Sequence, residues 1–559
     1  MRIGGGELGG KARGLADIRR ALHAAFGGPP PGGIRVDIPA MVVLGTHVFD
    51  SFMQHNRLYD VALADGSDER IARAFHKAEL PFSVLGDLRA LANQVHVPLA
   101  VRSSSLLEDA EQQPFAGIYA TKMIPNNQYD ADARFNKLVE AIKFVYASTF
   151  SASAKAYRRA TGHDDEEEKM AVIIQELVGK RHQPRFYPEL SGVARSLNYY
   201  PMGPAQPEEG VVSLALGLGK TIVDGGVCWS YSPGHPKVDP PFASVEELVH
   251  GTQTEFWAVN MGEAPAYEPL KETEYLVLEN FTLAERDGAL RYLASTYSPL
   301  SGRLYIGTVF DGPRVLTFAP LLVLEEIPFN SMVGDILQCC QAELGKPVEI
   351  EFAMTFEPHR FAFLQVRPMA TSQDETLVGE EDMRGENVLV ATETALGNGA
   401  LDTIYDVVYT IPESFSLQHT RAVIPDLERI NRGLLEAGRD ALLIVLGRLG
   451  TTDPWLGIPI NWAKISAAKA VVEATRQNVR VELSQGSHYF HNIVSLGVKY
   501  FNLPISSPHG IDWEWLAGQE AVEETPLLRH VRLSRPLLIK VDGRSRRGVI
   551  YKQAKTDEP

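Results

Sequence analysis

The sequence predicts an α+β fold in two parts, and three observations carry that expectation. Apolar runs of strand length, such as PLAVRSSS at 98–105 and MAVIIQELV at 170–178, alternate with segments of helical period. Near residue 350, two such runs, KPVEIEFAM and FAFLQVRP, flank the turn-like TFEPHR and read as a β-hairpin. Beyond them TSQDETLVGEEDMRGEN, 371–387, is polar and has no periodicity, which marks a linker. The expected division is a first domain over 1–370, a linker over 371–390 and a separate α/β domain over 391–559.

The elements follow in order. A helix with Leu15, Ile18 and Leu22 on one face ends at the loop GGPPPGG. IPAMVVLG is a strand leading into a helix, and residues 68–96 read as helical. In DARFNKLVEAIKFVYASTF, the residues Phe135, Leu138, Ile142, Val145 and Tyr146 share a helical face. DDEEEK, 164–169, reads as a solvated acidic loop, and Val211 to Leu216 as a buried strand. Past the linker, helices are expected near 425–438 and 463–477, and LLIKVDG and GVIYK close the chain as strands.

Composition sets limits on function. The 559 residues include 45% hydrophobic and 22% charged side chains, an ordinary globular balance able to bury several cores. A net charge of −16 argues against non-specific binding to nucleic acid or to an anionic membrane. The 3 cysteines, Cys228, Cys339 and Cys340, show no zinc or disulfide spacing and point to reduced thiols in a cytoplasmic setting. The N-terminus has no apolar signal core, and no apolar run approaches the ~20 residues that span a bilayer.

SLALGLGKTIVDGG, 213–226, ends like a Walker loop in Gly219-Lys220-Thr221. The spacing requires glycine at 214, where Leu214 stands, so the segment reads instead as a glycine-rich loop after a buried strand. Separated pieces offer a different nucleotide chemistry: GGKARG with Lys11, the strand end at Arg102 with the turn at Gly117, IIQELV, and the hairpin. In the hairpin Glu349 and Glu351 share one face, as do Gln365 and Arg367 on the next strand. If Glu351 lies opposite Gln365, all converge; a one-residue slip scatters them. Two carboxylates, an amide oxygen and a guanidinium suit Mg²⁺ and phosphate. The competing reading is an ordinary surface hairpin with alternating polar residues, and for Arg102 a salt-bridged strand-end arginine.

Order and spacing add a resemblance. GGK at 9–11, RSS at 102–104, ED at 108–109, FAG at 115–117 with Thr121, and IIQ at 173–175 stand in sequence. SGV at 191–193, GLG at 217–219, EIE at 349–351 and LQVRP at 364–368 continue it. This series resembles the N-terminal ATP-binding, ATP-grasp domain of phosphoenolpyruvate synthase and pyruvate phosphate dikinase. The resemblance implies that Lys11 and Arg102 neutralise ATP phosphates and that the turn from Gly117 to Thr121 covers them. It places Gln175, Glu176 and Val178 along the adenine edge. Glu351 and Gln365 would hold Mg²⁺, with Glu349 nearby on ribose or metal, and Arg367 would stabilise the transferred phosphoryl group. Arg367, Arg102 and Lys11 are thus the expected catalytic set.

The resemblance also has limits. Many relatives carry glutamate after the glycine loop, where this chain has Lys220. No segment matches the Thr-Ser-His signature of the swivelling phosphohistidine domain, and 371–559 is too short for that domain plus the pyruvate-binding barrel. His488 and His491 are at i,i+3 spacing: His488 reads as a surrogate phosphate carrier, or with His491 and Asp453 as a metal site, or the two as a hydrogen-bonded structural pair. The whole chain resembles bacterial proteins described only as containing a phosphoenolpyruvate/pyruvate-binding domain. The expectation is therefore an ATP- and Mg²⁺-dependent, dikinase-like phosphotransferase whose acceptor, a small molecule or a protein, is open. A non-catalytic ATP-binding sensor is the alternative.

Overall fold

The computed structural model describes residues 1–28, 33–64, 66–106, 118–161, 163–164, 168–198, 204–224, 226–238, 245–369, 376–397, 399–450, 457–475, 498–505, 507–542 and 545–552. Helix and strand are mixed throughout, as an α+β chain requires. The chain divides into two compact units, Met1–Val223 with Val227–Met369, and Asp224–Gly226 with Ala370–Pro559.

In the first unit a five-stranded sheet runs in the order Arg2–Ile3, Met41–Leu44, Met170–Glu176, Leu99–Ser105, Thr121–Ile124. Its central strand begins Met-Ala-Val-Ile-Ile, all buried, because helices cover it. Among them Ala131–Ser148 buries Phe135, Leu138, Ile142, Val145 and Tyr146 as the period requires. Its N-terminus is capped by Asp130, which accepts from the Asp132 and Ala133 amides at 3.2 and 3.1 Å. The helical region at 68–96 is two helices, Asp68–Lys77 and Phe82–Gln94, separated at Pro81. The acidic stretch 164–169 is not wholly solvated: Glu168 is fully buried and accepts a 2.9 Å hydrogen bond from the Tyr119 hydroxyl.

A six-stranded sheet in the same unit has the order Trp229–Tyr231, Val211–Ala215, Leu190–Arg195, Val348–Phe356, His359–Pro368, Arg35–Asp37. The expected hairpin supplies two adjacent interior strands of it. Leu214 lies inside the strand Val211–Ala215, paired to Gly192 on one side and Trp229 on the other, which leaves no room for a Walker loop. The helix Phe329–Leu344 lays Met332, Val333, Ile336 and Cys340 onto the core of this sheet.

The second unit is built on a nine-stranded mixed sheet. Gly399–Thr410, Ala441–Leu446, Ala468–Ala474 and Lys499–Leu503 run parallel in that order. Leu528–Asp542 and Arg547–Tyr551 extend the sheet antiparallel on one side. The helix expected near 425–438 is Ile424–Glu436, the crossover between the first two parallel strands. The helix expected at 463–477 is instead a single 3₁₀ turn, Trp462–Lys464, followed by the strand Ala468–Ala474. Its Val471 and Val472 are buried between two parallel neighbours, where β-branched side chains pack better than on a helix. The polar stretch expected as a linker also contributes structure: Val378 and Met383 are buried against Ala391, Val549 and Tyr551.

Candidate functional site

The hairpin register is the one that brings the polar residues together. Glu349 pairs with Arg367 and Glu351 with Gln365, and a bulge follows at Glu351/Phe352. Period-2 alternation therefore places all four on one face.

Arg102, on the strand Leu99–Ser105 of the other sheet, reaches this face. Its Nη2 donates to Glu351 Oε2 and to Gln365 Oε1, both at 2.8 Å. Its Nη1 donates to the Leu364 carbonyl at 3.0 Å and stands 3.5 Å from Gln175 Oε1. The Arg102 and Glu351 side chains are only 11% and 19% exposed, so this is an ion pair with little screening by water. Gln175 is buried, and its Nε2 has no hydrogen-bond partner among the described residues. A buried unpaired amide is costly unless something else satisfies it.

Glu349 is held from both sides. Arg195 donates to its Oε2 through Nε at 2.5 Å, and Arg367 donates to its Oε1. Arg195, Glu349 and Arg367 form one row across three neighbouring strands. Arg195 was not among the expected residues. It lies two positions past Val193 of the Ser191-Gly192-Val193 motif, and strand parity alone puts it on the same face.

Lys11 arrives on the helix Gly10–Phe26, and its Nζ donates to Ser103 Oγ at 3.1 Å. The helix start is locked to the Arg-Ser-Ser strand end: Ser104 Oγ accepts from the Ala12 amide at 3.1 Å and donates to the Leu8 carbonyl at 2.9 Å. Gly9 has φ +74°, and a Cβ there would lie 1.6 Å from the Ser104 carbonyl oxygen, so only glycine permits this approach.

Thr121 is directly opposite Arg102 in the antiparallel pair. The next residue, Lys122, is buried and binds Glu274 at 2.7 Å and the Pro269 and Lys271 carbonyls at 2.7 and 2.9 Å. Burial lowers its pKa, with the Glu274 carboxylate opposing that shift. Lys122 thereby ties the 269–274 segment to the strand carrying Thr121.

Of the residues expected at the adenine edge, Glu176 is half-buried and its amide already donates to the Ala40 carbonyl at 3.0 Å. Val178 is buried against Ala353 and Ala362. After the Gly217-Leu218-Gly219 turn, Lys220 Nζ stands 6.0 Å from the centre of the Trp257 ring. Gly117, Glu108, Asp109, Asp453, His488 and His491 lie outside the described residues. Among the described residues no group of three or more His, Cys, Asp or Glu could hold a metal ion. Any cation here would share its coordination with amide or ligand oxygens.

The fold and this site define an α+β protein with cations, carboxylates and amides gathered where two sheets meet. Residues 6–387 match the model of the pyruvate phosphate dikinase AMP/ATP-binding domain, more than half of the chain, and the chain belongs to that family. It is 28% identical over 240 residues to a phosphoenolpyruvate synthase of Aeropyrum pernix, covering 39% of this chain and 26% of that one. An uncharacterized phosphotransferase of Bacillus subtilis, YvkC, is 26% identical over 216 residues, 39% of this chain and 22% of its own. A probable phosphoenolpyruvate synthase of Pyrococcus horikoshii is 22% identical over 407 residues, 71% of this chain and 41% of its own. The aligned regions thus span from about a fifth to about two fifths of these relatives' lengths. Among the described residues no helix is long and apolar enough to cross a membrane.

Proposed function

We propose that the first unit is an ATP-grasp domain that binds ATP with Mg²⁺ and transfers a phosphoryl group to an acceptor these residues do not name. The observation that carries the reading is the convergence of Arg102, Glu351 and Gln365 from two different sheets. Phosphoryl transfer asks mainly for positioning and charge neutralisation, and these residue types provide both.

The donor set fits a divalent cation. Glu351 and Gln365 oxygens already converge on one cationic nitrogen, and arriving phosphates would give Arg102 other partners. In this reading those two oxygens hold Mg²⁺, which supplies charge neutralisation among the phosphates. Lys11 and Arg102 pair with phosphate oxygens, and Thr121 lies at the end of the turn covering them. The unpartnered Gln175 Nε2 donates to the nucleotide, while Glu176 and Val178 border the base. Arg367 faces the transferred group. Glu349, engaged by Arg195 and Arg367, acts by orienting guanidiniums more than by touching ribose or metal.

The test is to incubate the full chain with ATP and Mg²⁺ and to assay AMP, ADP and acid-labile protein phosphate. AMP release supports dikinase-type chemistry, and ADP with phosphate supports a simple kinase. Tight binding without either product makes the protein a nucleotide sensor, and failure to bind ATP overturns the proposal.

A further inference from the structure

In the second unit, Leu446, Ala474 and Leu503 end three adjacent parallel strands, Ala441–Leu446, Ala468–Ala474 and Lys499–Leu503. Strand parity puts the three side chains on one face, and there they floor a cavity of about 240 Å³. Open parallel sheets bind ligands outside the carboxyl ends of their strands. The size is below that of pockets for drug-sized ligands, which suits a smaller molecule.

The walls are firmly placed. The Asp512 amide donates to the Leu389 carbonyl at 3.0 Å, and Ile511 bridges to Val390. The Trp513 ring packs 6.0 Å from that of Tyr409. Ser507 is fixed by its amide on the Pro504 carbonyl at 2.9 Å. These contacts hold Ile511, Trp513 and Ser507 in place, which lowers the entropic cost of ordering them around a ligand.

Its polar lining consists of Thr475, Ser507, His509 and Trp513. An indole N–H only donates, and hydroxyls and an imidazole can donate. No Asp, Glu, Lys or Arg is among the described lining residues. With no carboxylate among the described lining residues, these donors above an aliphatic floor match a ligand with one carboxylate on a short branched carbon body.

We infer that this cavity binds a small aliphatic monocarboxylate, with the apolar body on Leu446 and Leu503 and the carboxylate toward Ser507, His509 and Trp513. The inference is independent of nucleotide binding in the first unit.

Isobutyrate is the probe and its neutral isostere isobutyramide the control, titrated into the full chain with ligand-observed NMR and the Trp indole N–H signals as readouts. Saturable isobutyrate binding is expected, about fivefold or more tighter than the amide, with one indole signal shifting. His509→Ala and Ser507→Ala should each weaken it about fivefold, the effect of losing one hydrogen bond, and Trp513→Phe should remove the shifting signal. No saturable binding, equal binding of the amide, or unchanged binding in both His509→Ala and Ser507→Ala overturns the inference. Should Trp513→Phe fail to fold, the half-exposed Ser507 and His509 still decide it.

Discussion

Glu349 in the first unit and Glu473 in the second are 3% and 4% exposed, each on a strand flanked by strands on both sides. Their partners differ. Glu349 meets two guanidiniums, whereas Glu473 meets the Tyr500 hydroxyl and, at 2.8 Å, the Leu449 amide. Burial pushes the Glu473 carboxyl up to about 7, and those hydrogen bonds together with the Arg448 charge only partly offset it. Equal burial thus leads to opposite chemistry. A carboxylate answered by full charges can organise a cationic site, and one answered mainly by dipoles becomes a group that takes up a proton near neutrality.

The largest expected effect breaks the first half of this contrast. Glu349→Ala leaves Arg195 and Arg367 without their shared carboxylate and should cost about 3–5 kcal/mol in urea unfolding of the first unit. A loss under about 1 kcal/mol would mean the row is not an organising element. Next comes Arg102→Ala, expected to lower phosphoryl-transfer turnover about 10²–10³-fold if Arg102 stabilises charge on the phosphates. Unchanged turnover would sink that role.

Glu473→Gln tests the other half. The folded pKa lies above the ordinary 4.5, so the folded state keeps a proton that the unfolded chain has released. The penalty is absent below about pH 4.5 and complete above about pH 7, and the second unit loses stability as pH rises through that window. The substitution should stabilise it by on the order of 2–3 kcal/mol at about pH 8 and have little effect at about pH 4.5, read from denaturant midpoints. Equal effects at both pH values would contradict this. The smallest change is Arg195→Gln, expected to lower nucleotide affinity or turnover by about tenfold through a loosened Arg367, with Arg195→Lys intermediate. A purely structural pair would alter melting and leave kinetics untouched.

The site was legible where chemistry follows strand parity. Glu349, Glu351, Gln365 and Arg367 needed only period-2 alternation and a correct register, which a two-residue turn at Glu357-Pro358 supplies. Arg195 obeyed the same parity but stood outside any motif, and no local pattern tells which strand will neighbour the hairpin. Residues 468–474 were misread because a short apolar run satisfies helix and strand alike. The pairing of that run with 441–446 and 499–503 is non-local. The engagement of Gln365 and Glu351 by Arg102 was also out of reach, since it depends on how two sheets approach one another.

Gly14 gives the first helix a mechanical meaning. The helix begins on Ser104 of one sheet, and a Cβ at position 14 would press to 2.9 Å from the Val366 carbonyl oxygen of the other. The helix touches both sheets, and this bare contact sets how closely the hairpin can lie against it. Alanine at this position would be a doorstop, prising the hairpin outward and moving Gln365 and Arg367 without altering either.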